Sequence, residues 1–430
     1  MKSKEELSKL FENGDKPVQE DFREWLNSYW HKDEKIEMEK IAGLEDGLPN
    51  PNNIYAEKDE DGKASLKSYL TKKLFVEKGT LEIPHNFASD MKLTDIEMPD
   101  TVTSIGIYSF NNNLLENIKL PENIMSIGEG AFYANKLTSV EIPDSVTYMG
   151  ASAFASNLLG SVKIPRNIKS IESGVFSGNQ LLSVELPNDI THIEYYAFSG
   201  NQLAEISLPE NLTKIGDYAF AYNKFSTVTV PGTVTEIGAS AFTNNSIVEV
   251  LLSPGLTKIG NYAFSENKLS TISIPDTVTE MGENVFRNNS ISKLVLPSGL
   301  TKIAPNFCPD GQLSEIVIPE GVSEIGRYAF YNNQLSEIAI PDSIRSIGEL
   351  AFRKNNLSNL ELPDVPLVIE EMAFMENELT SITIPKSVTL IKNYAFLNNK
   401  LTHVILGENT QYYYSAFDND VEIIGGEMIG

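Results

Sequence analysis

Four histidines, one cysteine and 59 carboxylates are the side chains with which this chain could do chemistry. His31, His85, His192 and His403 stand far apart and in different repeating units, so their spacing does not build a shared metal site. Cys308 is alone, which excludes an intrachain disulfide. Glu57, Asp59, Asp61 and Gly62 open like a calcium-binding loop, but the twelfth position is Ser68, where a bidentate glutamate is needed, and no flanking helices are evident. H-E-x-x-H, G-x-S-x-G, the Walker A loop and G-x-G-x-x-G in its proper context are all missing. The carboxylates are plentiful, yet none stands at a unit-specific place where a catalytic pair would be expected. The expectation is therefore no catalytic residue, no metal and no cofactor: a protein that recognises rather than transforms.

What the chain does have is a beat. Phe110, Phe132, Phe154, Phe176, Phe198, Phe220, Phe242, Phe264 and Phe286 follow one another at 22 residues. The series resumes at Phe330, Phe352, Phe374 and Phe396, with Cys308 in the missing place. Prolines keep the same interval from Pro99 to Pro385, with Ser253 the exception. A fixed period of this length means a solenoid, each repeat being one supersecondary unit stacked on the next.

One unit runs from Asn135 to Phe154 and generalises to N-x-L-x-x-[VI]-x-[IL]-P-x-x-[VI]-x-x-I-G-x-x-A-F. The V-x-I segment alternates like a half-buried strand, and Pro143 ends it because proline cannot donate to a ladder. Met149-Gly150 and Ala153-Phe154 supply inward residues on the return path, and the glycines at 106, 128, 150 and 216 belong to its I-G turn. Asparagine recurs from Asn113 to Asn399 with one exception, Gly311. A polar residue held so strictly predicts a ladder of bonds to the backbone of the neighbouring turn. Cys308, at a phenylalanine position, reads as a small core residue. The unit from Ile303 to Leu313 is irregular, with Phe307-Cys308-Pro309-Asp310-Gly311 resembling Phe87-Ala88-Ser89-Asp90 of the first unit. It reads as a local bulge or as a partner-contact loop.

Leu137, Val140, Ile142, Pro143, Val146, Met149, Gly150, Ala153 and Phe154, with their counterparts over residues 71 to about 418, resemble the BspA-like branch of the leucine-rich repeats. The asparagine precedes the leading leucine, unlike the commoner leucine-rich pattern, where it follows the strand. The resemblance implies an α/β solenoid with one long parallel β-sheet. It also implies a place among bacterial surface proteins and adhesins, which is a fold-level analogy. Sixteen strands are expected, from Leu74–Val76 to Val404–Leu406, spanning about 70 Å at ~4.8 Å each. Phe417 comes one residue early, and Val421–Ile424 is expected as a final capping strand.

The formal net charge of −25 argues against sequence-independent nucleic-acid binding and against an anionic membrane. No segment approaches the ~18 apolar residues of a membrane helix. No signal peptide or anchor is visible in the chain. Many members of the resembled family carry one, so either a signal has been removed or the protein reaches its partner by another route.

Residues 1–48 do not repeat and read as a short helical attachment or oligomerisation module. Ser3–Glu6 is a capping box, Asn13-Gly14 stops the first helix, and Pro17 suits the first turn of a second. Phe22, Trp25, Leu26 and Tyr29 then fall on one face of that helix. The runs Leu10–Pro17, Glu20–Phe22, Tyr29–Asp33 and Ile41–Leu48 resemble a short N-terminal segment of phage and prophage tail-fibre-like proteins, which implies a virion or tail-like particle. Residues 49–70 read as a linker, and 71–430 as the solenoid with its caps.

The central residue of each strand points away from the core. Glu97, Lys119, Glu141, Lys163 and Glu185 alternate in sign and can pair across strands. Farther along, Leu251, Val295, Val317 and Ala339 turn the row apolar, bordered by Glu249, Lys293, Glu315 and Glu337. Such a strip on the concave sheet is how a recognition surface is built. The alternative is that β-branched residues simply suit a strand. The readings left open are a tail or tail-like receptor-binding component, a surface adhesin and an interaction scaffold, each with a protein or glycan ligand.

An apolar stripe such as Trp25, Leu26 and Tyr29 seldom stays bare, so the full chain is expected to self-associate while a chain starting at residue 70 does not. Light scattering on both settles it; monomers of both at high concentration would refute the oligomerisation role.

Overall fold

The computed structural model describes residues 72–430 in full and the backbone of 53–58 and 64–66. The expected N-terminal helical module, including Phe22, Trp25, Leu26 and Tyr29, lies outside the described residues.

From residue 73 onward the chain coils in 22-residue turns, and each turn bonds to the next at several columns. The leading column holds the expected strands, beginning a residue earlier than the sequence suggested: Lys73–Val76, Asp95–Glu97, Ser161–Lys163, Ser183–Glu185 and on to His403–Ile405. Pairing is parallel and in register, residue i with residue i+22, as in Val162↔Val184 and Val295↔Val317. The column is not one long sheet. It is a series of two- to four-stranded pieces with single bridges, such as Lys119↔Glu141 and Ala339↔Glu361, between some of them. The proline that closes each segment withholds a donor, leaving about three residues to pair.

A second column on the return path is more continuous, and the repeat pattern did not reveal it as strand. Residues such as Lys214–Ile215, Glu236–Ile237 and Lys258–Ile259 form ladders of four, six and seven strands. The following glycine extends this ladder, Gly238 donating to the Ile215 carbonyl at 2.8 Å. A Cβ on Gly238 would lie 2.5 Å from the Asp217 nitrogen. These glycines are required by the close approach of neighbouring turns, not by a left-handed turn conformation.

The solenoid is all-β rather than α/β: among the described residues the helical structure is one 3-10 turn, Tyr414–Ala416. The A-F run cannot be helical because residues two before and two after each phenylalanine have positive φ, as at Tyr108 and Asn112 or Leu350 and Lys354. Left-handed backbone costs an L-residue about 1–2 kcal/mol. Here it is held by a further column of bonds: Tyr108, Phe110 and Asn112 donate to the carbonyls of Glu129, Ala131 and Tyr133 on the next turn at 2.8, 2.9 and 2.9 Å.

Between the columns lies the core. The phenylalanine rings are fully or almost fully buried and stack from turn to turn, with centroids 5.4 Å apart for Phe132–Phe154 and 5.6 Å for Phe242–Phe264. Each buried ring contributes ~1.5–3 kcal/mol of transfer free energy, and each stacked pair adds ~0.5–1.5 kcal/mol. The asparagine ladder is present as expected. Asn135 accepts from the Leu115 N–H at 3.2 Å and donates to the carbonyls of Phe110 and Phe132 at 2.9 and 3.1 Å. Asn201 repeats this with Leu181, Phe176 and Phe198.

The irregular unit keeps the 22-residue register on both columns and differs in its packing. Phe307 fills the place that Cys308 vacates, but its ring stands edge-on to Phe286 and Phe330, at 87° and 72°. Phe87 meets Phe110 in the same way, at 86°. Asn306 and Asp310, like Asn86 and Asp90, take the two left-handed positions. At the far end Phe417 stacks on Phe396, and Glu422–Ile424 pairs with His403–Ile405. At the near end, the segment read as a linker contains two strands. Asn53–Lys58 pairs parallel with Lys73–Val76, and Ala64–Leu66 returns antiparallel to it. Ile54-Tyr55 is a β-favouring pair beside an otherwise open edge, which turn-residue counting alone does not register.

Phe220→Ala should cost ~3–5 kcal/mol. Asn201→Ala, which leaves the buried Leu181 N–H without its partner and removes one of the two side-chain amide bonds to each of the Phe176 and Phe198 carbonyls, should cost ~1–3 kcal/mol. Denaturant titration of both variants measures this; a loss under ~0.5 kcal/mol for either would mean that its column does not hold the turns together.

Candidate recognition surface

The leading column carries the outward row. Leu251, Val295 and Val317 are about half exposed, at 54, 51 and 46%, and Ala339 is exposed beside them. Their neighbours Val250, Leu294, Ile316 and Ile338 point inward and are buried, so strand alternation fixes the outward direction. Val295 and Val317 are register partners, and Lys293 meets Glu315 across the same pair of strands at 2.5 Å. Ala339 continues the row and bridges to Glu361. Leu251 stands apart: it pairs back to Thr229, and exposed Ser273 lies between it and Val295. Glu249 and Glu337 are exposed on the flank. The contiguous apolar patch is thus Val295, Val317 and Ala339, with an ion pair along one side.

The row of alternating sign behaves differently from expectation. Lys163 and Glu185 are register partners, as are Lys119 and Glu141, yet neither pair closes an ion pair. Exposed pairs of long side chains gain little from one fixed geometry. On the leading strands Glu97 pairs with Lys73 at 2.6 Å, and on the return column Lys258 reaches Glu280 at 3.3 Å and Lys302 reaches Glu324 at 2.8 Å.

A second feature was not legible in the repeat pattern. Tyr195, Tyr196, Tyr218, Tyr222 and Tyr262 gather on three of four successive turns beside the phenylalanine column. Tyr196 and Tyr218 stack at 4.6 Å with an 8° tilt, and Tyr195 meets Tyr196 edge-on at 4.1 Å. A hydrogen bond with Tyr195, helped by partial burial, pushes the Tyr196 phenol up to about 12. It therefore stays a neutral donor at physiological pH. Beside this cluster lies a shallow hollow of about 250 Å³.

The groups that could do chemistry do not converge. Among the described residues no cluster of histidine, cysteine and carboxylate suits a metal ion. No described helix is long and apolar enough to cross a membrane. Cys308 is buried, and desolvation pushes its thiol up to about 12, which suppresses the nucleophilic thiolate.

Parallel 22-residue turns, a buried asparagine column and outward strand rows define a leucine-rich-repeat solenoid, a class that presents surfaces and generally binds proteins without catalysing a reaction. The chain belongs to the BspA type leucine rich repeat region family, whose six-copy pattern matches residues 82–204, 191–308 and 305–424. No curated protein matches it in sequence. Among solved structures it is similar to a leucine-rich repeat protein from Bacteroides ovatus, at 18% identity and a TM-score of 0.47 over 90% of this chain and 100% of that one. A leucine rich cell surface protein from Faecalibacterium prausnitzii shares 19% identity, with a TM-score of 0.33, over 87% and 93% of the two chains. The pneumococcal vaccine antigen PcpA shares 16%, with a TM-score of 0.39, over 84% and 93%. None of these supports the tail-fibre resemblance of the N-terminal segment.

Cys308 is expected to resist a thiol reagent at neutral pH in the native protein and to react only after unfolding. Labelling of the native protein as fast as of the unfolded chain would show that the thiol is not core.

Proposed function

We propose that this is a non-enzymatic recognition protein that binds a protein partner through the outward row of its leading strands. The observation that carries the reading is the in-register exposed pair Val295 and Val317, continued by Ala339 and bordered by the Lys293–Glu315 ion pair. Nothing in the repeat requires apolar residues there, since the same position holds Glu97, Lys163 or Glu185 elsewhere. An apolar centre with a charged border matches the anatomy of protein interfaces, where the centre gives affinity and the rim gives orientation. Leu251 and Glu249 extend the surface on one side, and Glu337 on the other. The rigid spacing of the turns presets the arrangement, which lowers the cost of ordering it on binding. Attachment through Phe22, Trp25, Leu26 and Tyr29 would place this surface on a larger assembly.

Once a partner has been captured, Val295→Glu combined with Val317→Glu should abolish binding with an unchanged unfolding transition. These positions tolerate carboxylates in other units, so the fold should survive. Undiminished binding by the double variant would move the interface elsewhere, with the turn around Phe307 the next place to test.

A further inference from the structure

The tyrosine cluster has a gap in it. Two residues before each core phenylalanine, the left-handed position holds Tyr196, Tyr218, Ser240 and Tyr262 on four successive turns. Tyr196 and Tyr218 stack face to face at 4.6 Å. The next position in that stack is empty of a ring, because Ser240 ends at its hydroxyl and is itself buried. Tyr262 resumes on the turn after, two strand spacings or ~10 Å beyond Tyr218. The hollow of about 250 Å³ sits at this missing place, lined by Tyr218, Ser240 and Tyr262 with Tyr222, Glu266 and Arg287 around it. That volume is below the ~300 Å³ at which drug-sized pockets begin, and suits a single ring.

The polar rim selects the kind of ring. Glu266 offers a carboxylate, held by the Asn288 amide at 2.5 Å. Arg287 is exposed and makes no ion pair among the described residues, so its donors remain available. A cation would gain from the tyrosine faces and from Glu266 but would meet Arg287. An anion would gain from Arg287 but meet Glu266. An aromatic side chain would use the rings while taking solvent from both charges without pairing them. A sugar ring in its chair form uses everything present. Its C–H faces carry positive potential toward the negative faces of the tyrosines, and its hydroxyls both donate and accept. We propose that the space above Ser240, between Tyr218 and Tyr262, holds one neutral pyranose of a glycan, with Arg287 donating to its hydroxyls and Glu266 accepting from them.

The site lies on the phenylalanine turns, not on the leading strands, and stands independently of the protein-binding row. The full chain is applied to an array of neutral hexose- and N-acetylhexosamine-terminated oligosaccharides, alongside arginine-rich and tryptophan-rich peptides. Enrichment of a neutral oligosaccharide is expected, with saturation-transfer NMR placing one sugar residue against tyrosine protons. Ser240→Tyr closes the stack with a residue that the same left-handed position already accepts at 196, 218 and 262, so it should fold normally. It should weaken glycan binding at least about tenfold, and Arg287→Ala should weaken it too. The double Val295, Val317 variant should leave it unchanged. The proposal is overturned if no neutral glycan is enriched, if Ser240→Tyr with a native unfolding transition binds as well as the parent, or if only the peptides bind in a Ser240-dependent way.

Discussion

The structure depends on a single amide placed where two turns meet. A stacked turn must satisfy backbone groups that face a neighbour too irregular at that point to pair as a sheet, and buried groups left unpaired are costly. The recurring asparagine solves this with one acceptor and two donors. In Asn201 the oxygen takes the Leu181 N–H of the preceding turn, while the nitrogen serves the Phe176 carbonyl there and the Phe198 carbonyl of its own. Aspartate would lack the donors, and the extra methylene of glutamine would carry the amide past these groups. With these groups bonded, the leading leucine and the phenylalanine are held at fixed height, the rings stack, and the strands before and after fall into register. The period of 22 follows from this contact as much as from the core.

This hierarchy explains why strict regularity inside coexists with freedom outside. Positions that face the neighbouring turn are nearly invariant along the chain, whereas those that face solvent drift from unit to unit. The proposed recognition surfaces lie in that drift. The leading row passes from alternating charges at Glu97 to Glu185 into the valines at 295 and 317. The position two before the phenylalanine passes through glycine, serine, asparagine and tyrosine on an unchanged left-handed backbone.

The same division separates what could be read from the sequence from what could not. The asparagine ladder, the buried phenylalanines, Cys308 in the core and the final strand at Glu422–Ile424 were legible because each repeats or breaks a pattern of residue type. The return ladder was not, since its two-residue strands, such as Lys214–Ile215, are too short for alternation to be seen. Paired left-handed residues flanking each phenylalanine were hidden because glycine, their usual signal, stands there only occasionally, and tyrosine or leucine is held in place by bonds to the next turn. That is also why the helical element implied by the family resemblance is replaced by a bonded turn. The tyrosine cluster escaped because a generalised repeat pattern writes those positions as x. Sites of this kind are found only by reading down a column instead of along the chain.

The edge-on ring of Phe307 has a meaning for how the molecule yields. In a linear array, stability is a sum of terms between adjacent units, and the joint between the turns of Phe286 and Phe307 is short of two of them. Parallel stacking is replaced by a right-angled contact there, and Gly311 brings no amide to the N–H of Ile291. The motif that fills the joint, Ile303-Ala-Pro-Asn-Phe307, stands 220 residues after Ile83-Pro-His-Asn-Phe87, where the array of phenylalanine turns begins. An internal turn shaped like a first turn should divide the array into two cooperative blocks, each bounded at its start by the same edge-on ring. Breathing of the native state should therefore concentrate at this hinge, while the blocks on either side open and close as wholes.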